Sequence, residues 1–589
     1  MAITISVESA RLRRMRGIAL RLLAGAVGTA VLLDLPFPIA GPLPMWRTVF
    51  AWIALVPLVV RVVRLVNGPD CLKAWPLWVL GAGWLSGALW FGLNCYWVYD
   101  TMHNYGGMGP VMAGVCLVLF SVYLGFWFGL FTLALGMVSR ATKLRGASEN
   151  WLLGLIPVLW VGMEFAVARI PSFPWDELGY SQIDNALLTR LAPWTGVMGI
   201  SFALAAGNAL LAGGFFLTSR RGRRWSAAAG LCAGLLGMGG FLLRAPRPMA
   251  EATAMLVQPN LNVNADDVWV GAQWDAHLAE FARLAGEECG KSFLTGMPET
   301  GATEAKTSCG VSETSKALGM PAADVPAPAL VAWPESAAPF RGPDPRFQEG
   351  MGKIARAEQS PMIVGNVGME VGRGEDGLAQ YRIYNSASVI AANGSFVGRY
   401  DKIHLVPFGE YVPARQLLFF AHQLTQQLTD LNGGAERKVF RLRSANGAAH
   451  HYGIFICYES VFGDEVRQFV DLGAETLVNI SDDGWYGDTS APWEHLNMAR
   501  MRAIENHRWL LRDTNSGVTA SIDPNGVVRQ SIERHRVDVL PAQFGYETRL
   551  TWYTVHGDVL GMICAILAVV FALWATRALL WRRSVEGSV

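Results

Sequence analysis

The stretch YGIFICYESVFG, residues 452–463, passes from an apolar run to a polar one with no turn signal between them. Ile454, Phe455 and Ile456 are typical of a buried strand, and Cys457 follows them directly. A cysteine in this place is either a small core residue or a nucleophile held at the tip of a strand. Because functional groups of α/β domains collect at strand ends, the neighbouring strand ends help to decide between these alternatives.

Short apolar strands and helical stretches alternate throughout residues 250–548. Such alternation favours an α/β domain in which helices cover the faces of a sheet. Strands are predicted over 253–260, 329–336, 361–369, 384–391, 451–460 and 475–481, and helices over 268–287, 464–473 and 493–507.

Residues 289–328 interrupt this alternation and are rich in Gly, Ala, Ser, Thr and Pro. A segment of this length without periodicity predicts a flexible surface insertion. It contains Cys289 and Cys309, which with Cys457 are the cysteines predicted to lie outside the membrane spans and inner loops. In an oxidising compartment two of the three can pair, and our hypothesis is a Cys289–Cys309 disulfide that leaves Cys457 free.

The apolar residues of the 589-residue chain are concentrated before and after this domain. The chain is 52% hydrophobic and 16% charged, whereas soluble proteins have about 25% charged residues. A helix crosses a bilayer core with about 20 mostly apolar residues. Residues 1–245 therefore predict a seven-span bundle, and residues 556–577 an eighth span. The first seven spans are predicted at 17–34, 48–66, 76–99, 110–138, 151–169, 196–217 and 224–244.

Basic residues lie in every second connection between these spans, which orients the bundle because short cytoplasmic loops collect Lys and Arg. The pattern predicts cytoplasmic termini and a soluble domain outside the cytoplasm, on the periplasmic side of a bacterial inner membrane. A net charge of +1 without a basic patch gives no indication of nucleic-acid binding. The basic connections contain Arg11, Arg13, Arg14 and Arg16, then Arg61, Arg64 and Lys73, then Arg140, Lys143 and Arg145, then Arg220, Arg221, Arg223 and Arg224, and finally Arg577, Arg582 and Arg583.

Two outer loops, NCYWVYDTMHNYGGM (94–108) and FPWDELGYSQ (173–182), are rich in aromatic residues. They are either an interfacial Trp and Tyr belt or a lipid-facing mouth beneath the soluble domain. Glu164 is the charge predicted well inside a span, and it either lines a lipid groove or anchors helix packing.

Two further motifs place polar groups at predicted strand ends. In WPES (333–336) a proline ends the ladder just before Glu335, and RYDKIHLVPFGEY (399–411) contains Lys402 in an irregular loop. Thiol catalysis needs a nucleophile, a proton acceptor, and positive charge or N–H donors for the oxyanion. Cys457, Glu335 and Lys402 supply these groups, although each alone could be a core cysteine or a surface charge. A nearby lysine is also expected to lower the pKa of the thiol.

His404, His495 and His507 are alternative candidates for the base. The spacing of His404, His495 and His507 is not that of a metal site, and structural or loop-ordering roles are expected for them. Neither a metal nor a cofactor is expected.

Together, WPES, YDKIHLVPFGEY and CYES resemble the nitrilase superfamily, whose members carry a Glu-Lys-Cys triad on an α-β-β-α sandwich. A nitrilase-like domain between seven spans and an eighth resembles the apolipoprotein N-acyltransferase family in particular. VQPN (257–260), NISDDGWYGDT (479–489) and residues 498–522 are further matches, and the resemblance covers nearly the whole chain.

The resemblance implies a two-step transfer that completes lipoprotein maturation. Cys457 would attack an acyl ester of a phospholipid, typically phosphatidylethanolamine, and give a thioester. The α-amine of the diacylglyceryl-cysteine of a lipoprotein would then take the acyl chain. Glu335 would be general base and then acid, Lys402 and the N–H of Tyr458 would stabilise the oxyanion, and Glu410 would support Lys402 as a second carboxylate.

Four aromatic residues and one carboxylate complete the implied site. Glu459 would shape the acceptor or loop region. Trp485 and Tyr486 would either contact acyl chains from a loop over the site or form a packed turn, and Trp269 or Trp274 would match a tryptophan that the family carries on a mobile arm. The implied partners are a phospholipid and diacylated lipoproteins, and the implied state is a monomer.

Two other functions fit parts of this pattern. A membrane-tethered amidase acting on small amides would share the triad but would not need the bundle. A non-catalytic lipoprotein-binding or transport protein would carry charges along a path through the membrane. The candidate charges for such a path are Asp34, Asp100 and Glu164.

Overall fold

The computed structural model of the chain describes residues 2–69, 71, 73–263, 279, 284, 327–335, 340–373, 379–411, 431–444 and 447–586. Several sequence predictions lie outside these ranges, and the proposed disulfide stays a prediction for that reason. They are the helix over 268–287 apart from positions 279 and 284, the insertion 289–328 apart from positions 327 and 328, and Cys289, Cys309, Trp269 and Trp274.

Eight of the described helical segments are long and apolar enough to cross a bilayer, which confirms the predicted multi-span bundle. Each predicted span corresponds to one of them. A 3₁₀ turn at Met45–Trp52 precedes the second membrane helix. The described α-helices of more than five residues are α1 Ala2–Asp34, α2 Val56–Asn67, α3 Trp75–Asn94, α4 Pro110–Leu144, α5 Leu152–Arg169, α6 Val197–Phe216, α7 Arg220–Gly239, α8 Pro345–Glu358, α9 Gly463–Asp471, α10 Ala491–Asn506 and α11 Val559–Glu586.

The described strands form two sheets of six between α7 and α11. The first sheet has the order β12-β1-β2-β3-β4-β5 and the second the order β11-β10-β9-β8-β7-β6. Each has a parallel trio, β1-β2-β3 or β7-β8-β9, with antiparallel strands on both sides. The strands are β1 Ala252–Gln258, β2 Leu330–Trp333, β3 Met362–Arg373, β4 Ala379–Ile390, β5 Phe396–Asp401, β6 Val439–Arg443, β7 Ala449–Ile456, β8 Thr476–Ser481, β9 Leu510–Thr514, β10 Thr519–Ile522, β11 Val528–Ile532 and β12 Asp538–Phe544.

Alternate residues of the strands face different layers of the domain, as the pleat of a strand requires. Leu256 of β1 shares an apolar core with Ile454 of β7. Val331 of β2 belongs to a separate cluster that contains Phe347 of α8. On the other sheet, Gly453 of β7 lies against α9. The domain is therefore an α-β-β-α sandwich, as predicted.

The loop FPWDELGYSQ (173–182) packs against the catalytic domain. Trp175 and Tyr180 are each only 2% exposed, so the segment is neither an interfacial belt nor a lipid-facing mouth. The hydroxyl of Tyr180 accepts a hydrogen bond from Nη2 of Arg502 at 2.7 Å, and Glu505 Oε1 accepts one from the backbone N–H of Val197 at 3.0 Å. Both acceptor–donor pairs join α10 to the membrane bundle, so the two parts of the chain form one packed unit.

Glu164 is buried in α5, where its carboxylate has partners within the bundle. Oε1 accepts hydrogen bonds from the indole N–H of Trp160 at 2.8 Å and from the backbone N–H of Leu178 at 2.9 Å. The second bond ties the membrane helix to the buried outer loop. These contacts favour the helix-packing alternative for this residue.

Replacement of Ile454 by Ala is expected to lower the free energy of unfolding by about 2–5 kcal/mol, because it leaves a cavity between the two sheets. Val397 of β5 is 45% exposed, and its replacement by Ala is the matched control. Thermal unfolding of the full-length protein in detergent measures both effects. Equal midpoints for the two variants would contradict the layer arrangement.

Candidate active site

Cys457 is the first residue after β7 and begins a 3₁₀ turn, Cys457–Val461. Its φ is +49°, a left-handed conformation that is uncommon outside glycine and that collects at functional sites. The residue is 6% exposed. The tight turn holds the thiol at the carboxyl end of strand β7 in the second sheet. The first backbone N–H groups of the turn have no hydrogen-bond acceptor within the turn itself.

Glu335 and Lys402 follow two strands of the first sheet, and their side chains meet in a buried position beyond the strand ends. Glu335 lies two residues after β2, and its Oε2 accepts a hydrogen bond from the backbone N–H of Asp482 at 2.8 Å. Lys402 directly follows β5 and is 1% exposed. Its Nζ lies 3.3 Å from Glu335 Oε1 and 3.0 Å from the carboxylate of Glu410. One buried ammonium is therefore held between two carboxylates.

Asn385 connects these two carboxylates and was not singled out from the sequence. Its Nδ2 donates to Glu335 Oε1 at 2.6 Å and to Glu410 Oε1 at 2.7 Å. Its backbone carbonyl accepts a hydrogen bond from the N–H of Lys402 at 2.8 Å. The sequence carried no clear signal for it, because β4 also contains Gln380, Arg382, Ser386 and Ser388.

Lys402 lies at a strand end as expected, but the strand before it is not a buried apolar one. Strand β5 is the edge of its sheet, and Phe396 and Val397 are 48% and 45% exposed. An edge strand needs no apolar residues on its outer face. Lys402 is nevertheless buried, because the chain turns inward after Asp401 and the loop that carries Glu410 packs around it.

The charges of the site act on Cys457 in opposite directions. Burial raises the pKa of the thiol well above its ordinary value, Glu335 raises it further, and Lys402 lowers it. Lys402 lowers the thiol pKa as expected, but desolvation is the larger effect, so the net pKa of Cys457 is raised. Burial lowers the pKa of Lys402, but Glu335, Glu410 and Cys457 outweigh it, so this pKa is raised. At neutral pH the site holds a neutral thiol beside an ammonium.

Glu459 joins the loop of the cysteine to the loop of the lysine. Its Oε2 accepts a hydrogen bond from the backbone N–H of Ile456 at 2.7 Å. Its Oε1 accepts from the hydroxyl of Tyr400 at 2.7 Å, and from the backbone N–H groups of Ile403 at 2.8 Å and His404 at 3.2 Å. A carboxylate with these four donors fixes the end of strand β7 in one sheet against the end of strand β5 in the other.

The aromatic residues after β8 have different surroundings. Tyr486 is 6% exposed, and its ring centroid lies 5.2 Å from that of Trp97 and 6.0 Å from that of Trp175. Trp485 is 42% exposed, and its carbonyl accepts a hydrogen bond from Thr101 Oγ1 at 3.1 Å. Tyr486 thus belongs to a packed aromatic cluster, whereas Trp485 offers an open ring beside an outer loop of the bundle.

The histidines lie in structural positions. His495 is fully buried, with its Nε2 3.1 Å from the carbonyl oxygen of Cys457. His404 Nδ1 lies 3.0 Å from Glu465 Oε1, and its ring stacks on Phe462 with centroids 3.7 Å apart. Among the described residues, no group of three or more His, Cys, Asp or Glu side chains could hold a metal ion.

Two known families match the two parts of the chain. Residues 29–210 match the apolipoprotein N-acyltransferase N-terminal domain, and residues 274–544 match the carbon-nitrogen hydrolase family. The second match covers the α-β-β-α sandwich apart from strand β1, and it agrees with the nitrilase-like fold predicted from the sequence.

Curated relatives match the chain almost from end to end. An apolipoprotein N-acyltransferase of Geobacter metallireducens is 31% identical over 560 residues, which cover 94% of this chain and 95% of the relative. That of Pseudomonas putida is 31% identical over 555 residues, covering 93% and 95%. That of Chlorobaculum tepidum is 28% identical over 562 residues, covering 90% and 93%. The chain therefore belongs to the apolipoprotein N-acyltransferase family, with a membrane bundle joined to a nitrilase-like domain.

Proposed function

We propose that this protein transfers an acyl chain from a phospholipid to the N-terminal α-amine of diacylglyceryl-cysteine in lipoproteins, through a thioester on Cys457. The observation that carries the proposal is the buried cluster of Glu335, Lys402 and Glu410, in which the charges of Glu335 and Lys402 act on the Cys457 thiol. The names of the curated relatives support the same reaction.

In the first half-reaction the sulfur of Cys457 attacks the carbonyl carbon of the acyl ester. Because burial keeps the thiol protonated, its proton must leave during the attack, and the Glu335 carboxylate is the base that takes it. The ester C–O bond then breaks, and the lysophospholipid oxygen takes the proton from Glu335. A thioester on Cys457 and a free lysophospholipid remain.

The negative charge that develops on the carbonyl oxygen needs donors already in place. The Lys402 ammonium supplies a full positive charge in a site from which water is largely excluded. The backbone N–H of Tyr458, in the first turn after the nucleophile, is the second donor. Glu410 and Asn385 act on Lys402 and Glu335 rather than on the substrate, and are positioning residues.

The second half-reaction repeats the same chemistry with a different nucleophile. The neutral α-amine of the lipoprotein attacks the thioester carbonyl, and Glu335 takes the amine proton. The C–S bond breaks, the sulfur recovers a proton from Glu335, and an amide is left on the lipoprotein. One base thus serves both steps, which is the behaviour expected of a ping-pong transfer.

The bundle explains why both substrates would be lipids. The ester groups of a bilayer lie at the interface, so a catalytic site that reaches them must stay at a fixed height above the membrane. Phosphatidylethanolamine is the proposed donor, and the exposed Trp485 ring beside the outer loop is a candidate contact for its acyl chain. The proposed setting is a bacterial inner membrane, with the catalytic domain on the periplasmic side and both termini in the cytoplasm.

A phosphatidylethanolamine with a labelled acyl chain, given to the purified protein without an acceptor, is expected to leave label on the protein that neutral hydroxylamine removes. Cys457→Ala should carry no label, because the thioester cannot form. Label that persists in this variant would assign another nucleophile. If the wild-type protein stays unlabelled and the lipid stays intact, the result would instead favour an amidase that acts on small amides.

Replacement of Glu335 by Gln is expected to slow labelling by about 10²–10⁴-fold, the usual contribution of a general base. Glu370→Gln is the matched control, because the Glu370 side chain is 54% exposed and pairs with Arg399 away from the buried cluster. Initial rates of protein labelling measure the effect. Equal rates for the two variants would remove Glu335 from the role of base.

Cysteine labelling with a membrane-impermeant maleimide tests the orientation. Val397→Cys, on the exposed strand β5, is expected to react in intact spheroplasts, whereas Arg145→Cys, after α4, should react only once the membrane is permeabilised. The wild-type protein gives the background from native thiols. The reverse pattern would place the catalytic domain in the cytoplasm.

A further inference from the structure

A buried histidine lies behind the nucleophile turn and contacts its backbone. His495 Nε2 is 3.1 Å from the carbonyl oxygen of Cys457 and 2.7 Å from Ser460 Oγ, within the same turn. The Ser460 hydroxyl can donate to an unprotonated Nε2, so the ring is hydrogen-bonded to this turn and lies against its first carbonyl group. These contacts restrain the turn that begins at Cys457, whose φ is left-handed.

The other side of the His495 ring faces a buried ion pair. Arg512 Nη2 lies 2.8 Å from Asp483 Oδ2 and 3.0 Å from His495 Nδ1, and Asp483 Oδ1 lies 2.9 Å from the same nitrogen. Burial and the Arg512 cation lower the pKa of His495, so the ring is neutral at physiological pH. Because the Asp483 carboxylate only accepts, a neutral ring carries its proton on Nδ1, donates to Asp483 and accepts from the Ser460 hydroxyl.

The membrane bundle holds the same histidine from a third direction. The ring of Trp175 stacks on that of His495, with centroids 6.2 Å apart and planes 18° apart. The indole N–H of Trp175 donates to Glu494 Oε2 at 2.8 Å, on the residue that precedes His495 in α10. Trp97, three residues beyond the end of α3, packs on Trp175 with ring centroids 4.8 Å apart.

We propose that Trp175 is a positioning residue: through Glu494 and His495 it fixes the turn that carries Cys457, so that an outer loop of the membrane bundle sets the geometry of the nucleophile. This inference rests on the proposed role of Cys457. The proposal assigns to the segment FPWDELGYSQ a role other than lipid contact. Trp175 is 2% exposed and contacts α10, the helix that carries Glu494 and His495. The bundle is then part of the catalytic apparatus as well as its anchor.

Alkylation of Cys457 by iodoacetamide tests the proposal, because this small reagent needs no lipid-binding site. The rate is followed against pH in the full-length protein, and the Cys457 peptide is quantified by mass spectrometry. In the wild type, burial and Glu335 keep the thiol protonated to high pH against the effect of Lys402. A loosened turn admits water, so the midpoint should move down towards the ordinary cysteine pKa of about 8.5.

Trp175→Phe keeps an aromatic ring but loses the N–H, and Glu494→Leu loses the acceptor. Both are expected to lower the midpoint by about one unit or more and to slow acyl-enzyme formation by on the order of 10²-fold at saturating lipid, with the half-saturating lipid concentration unchanged. Glu494→Gln retains an acceptor oxygen and should keep the wild-type midpoint.

Trp160→Phe is the matched control, because Trp160 donates to Glu164 at the same 2.8 Å but lies within the bundle. Wild-type midpoints in both Trp175→Phe and Glu494→Leu would overturn the proposal, and a shift in Trp160→Phe as large as theirs would do the same. Failure of the acyl-transfer function would appear separately, as labelled lipid that never reaches Cys457 in the wild type while the alkylation profiles still differ.

Discussion

The buried ammonium of Lys402 is the constraint around which the site is organised. An isolated charge in a protein interior costs several kcal/mol, and that cost is offset only where counter-charges and hydrogen bonds are supplied in good geometry. Glu335 and Glu410 provide the counter-charge, and the Asn385 amide donates to both carboxylates. The base proposed for catalysis is therefore also a structural requirement of the lysine, and the two roles cannot be separated by substitution alone.

The same cluster explains how a neutral thiol and a nearby base coexist. The Glu335 carboxylate opposes formation of a thiolate on Cys457, whereas the ammonium favours it. With burial added, the balance keeps the proton on Cys457 until a carbonyl carbon is in contact with the sulfur. A protonated thiol is a poor target for oxidants and for stray electrophiles, so the arrangement protects the nucleophile between turnovers.

The sequence was sufficient for those parts of the molecule whose pattern reflects burial directly. The eight membrane spans and the strands β1–β4, β7 and β8 could be predicted, because lipid or the protein core surrounds much of their surface and selects apolar residues there. Strand β5 was missed because it is an exposed edge, and β9 because Arg512 and Asp513 interrupt a fully buried strand. In the candidate site, Cys457, Glu335 and Lys402 could be predicted from their motifs. The roles of Asn385 and Trp175 could not, because they depend on contacts between segments far apart in the chain.

The joint between α10 and the bundle has a consequence for working with the catalytic domain alone. Arg502 and Glu505 are 1% exposed or less, and their partners include Tyr180 and the N–H of Val197 from the membrane part. Cutting the chain on either side of residues 250–548 would expose this surface of α10 to solvent. Arg502 and Glu505 would then lose their hydrogen-bond partners in the membrane part. Such a fragment would tend to self-associate, and an inactive excised domain would report the loss of its packing partner before it reported anything about substrate preference.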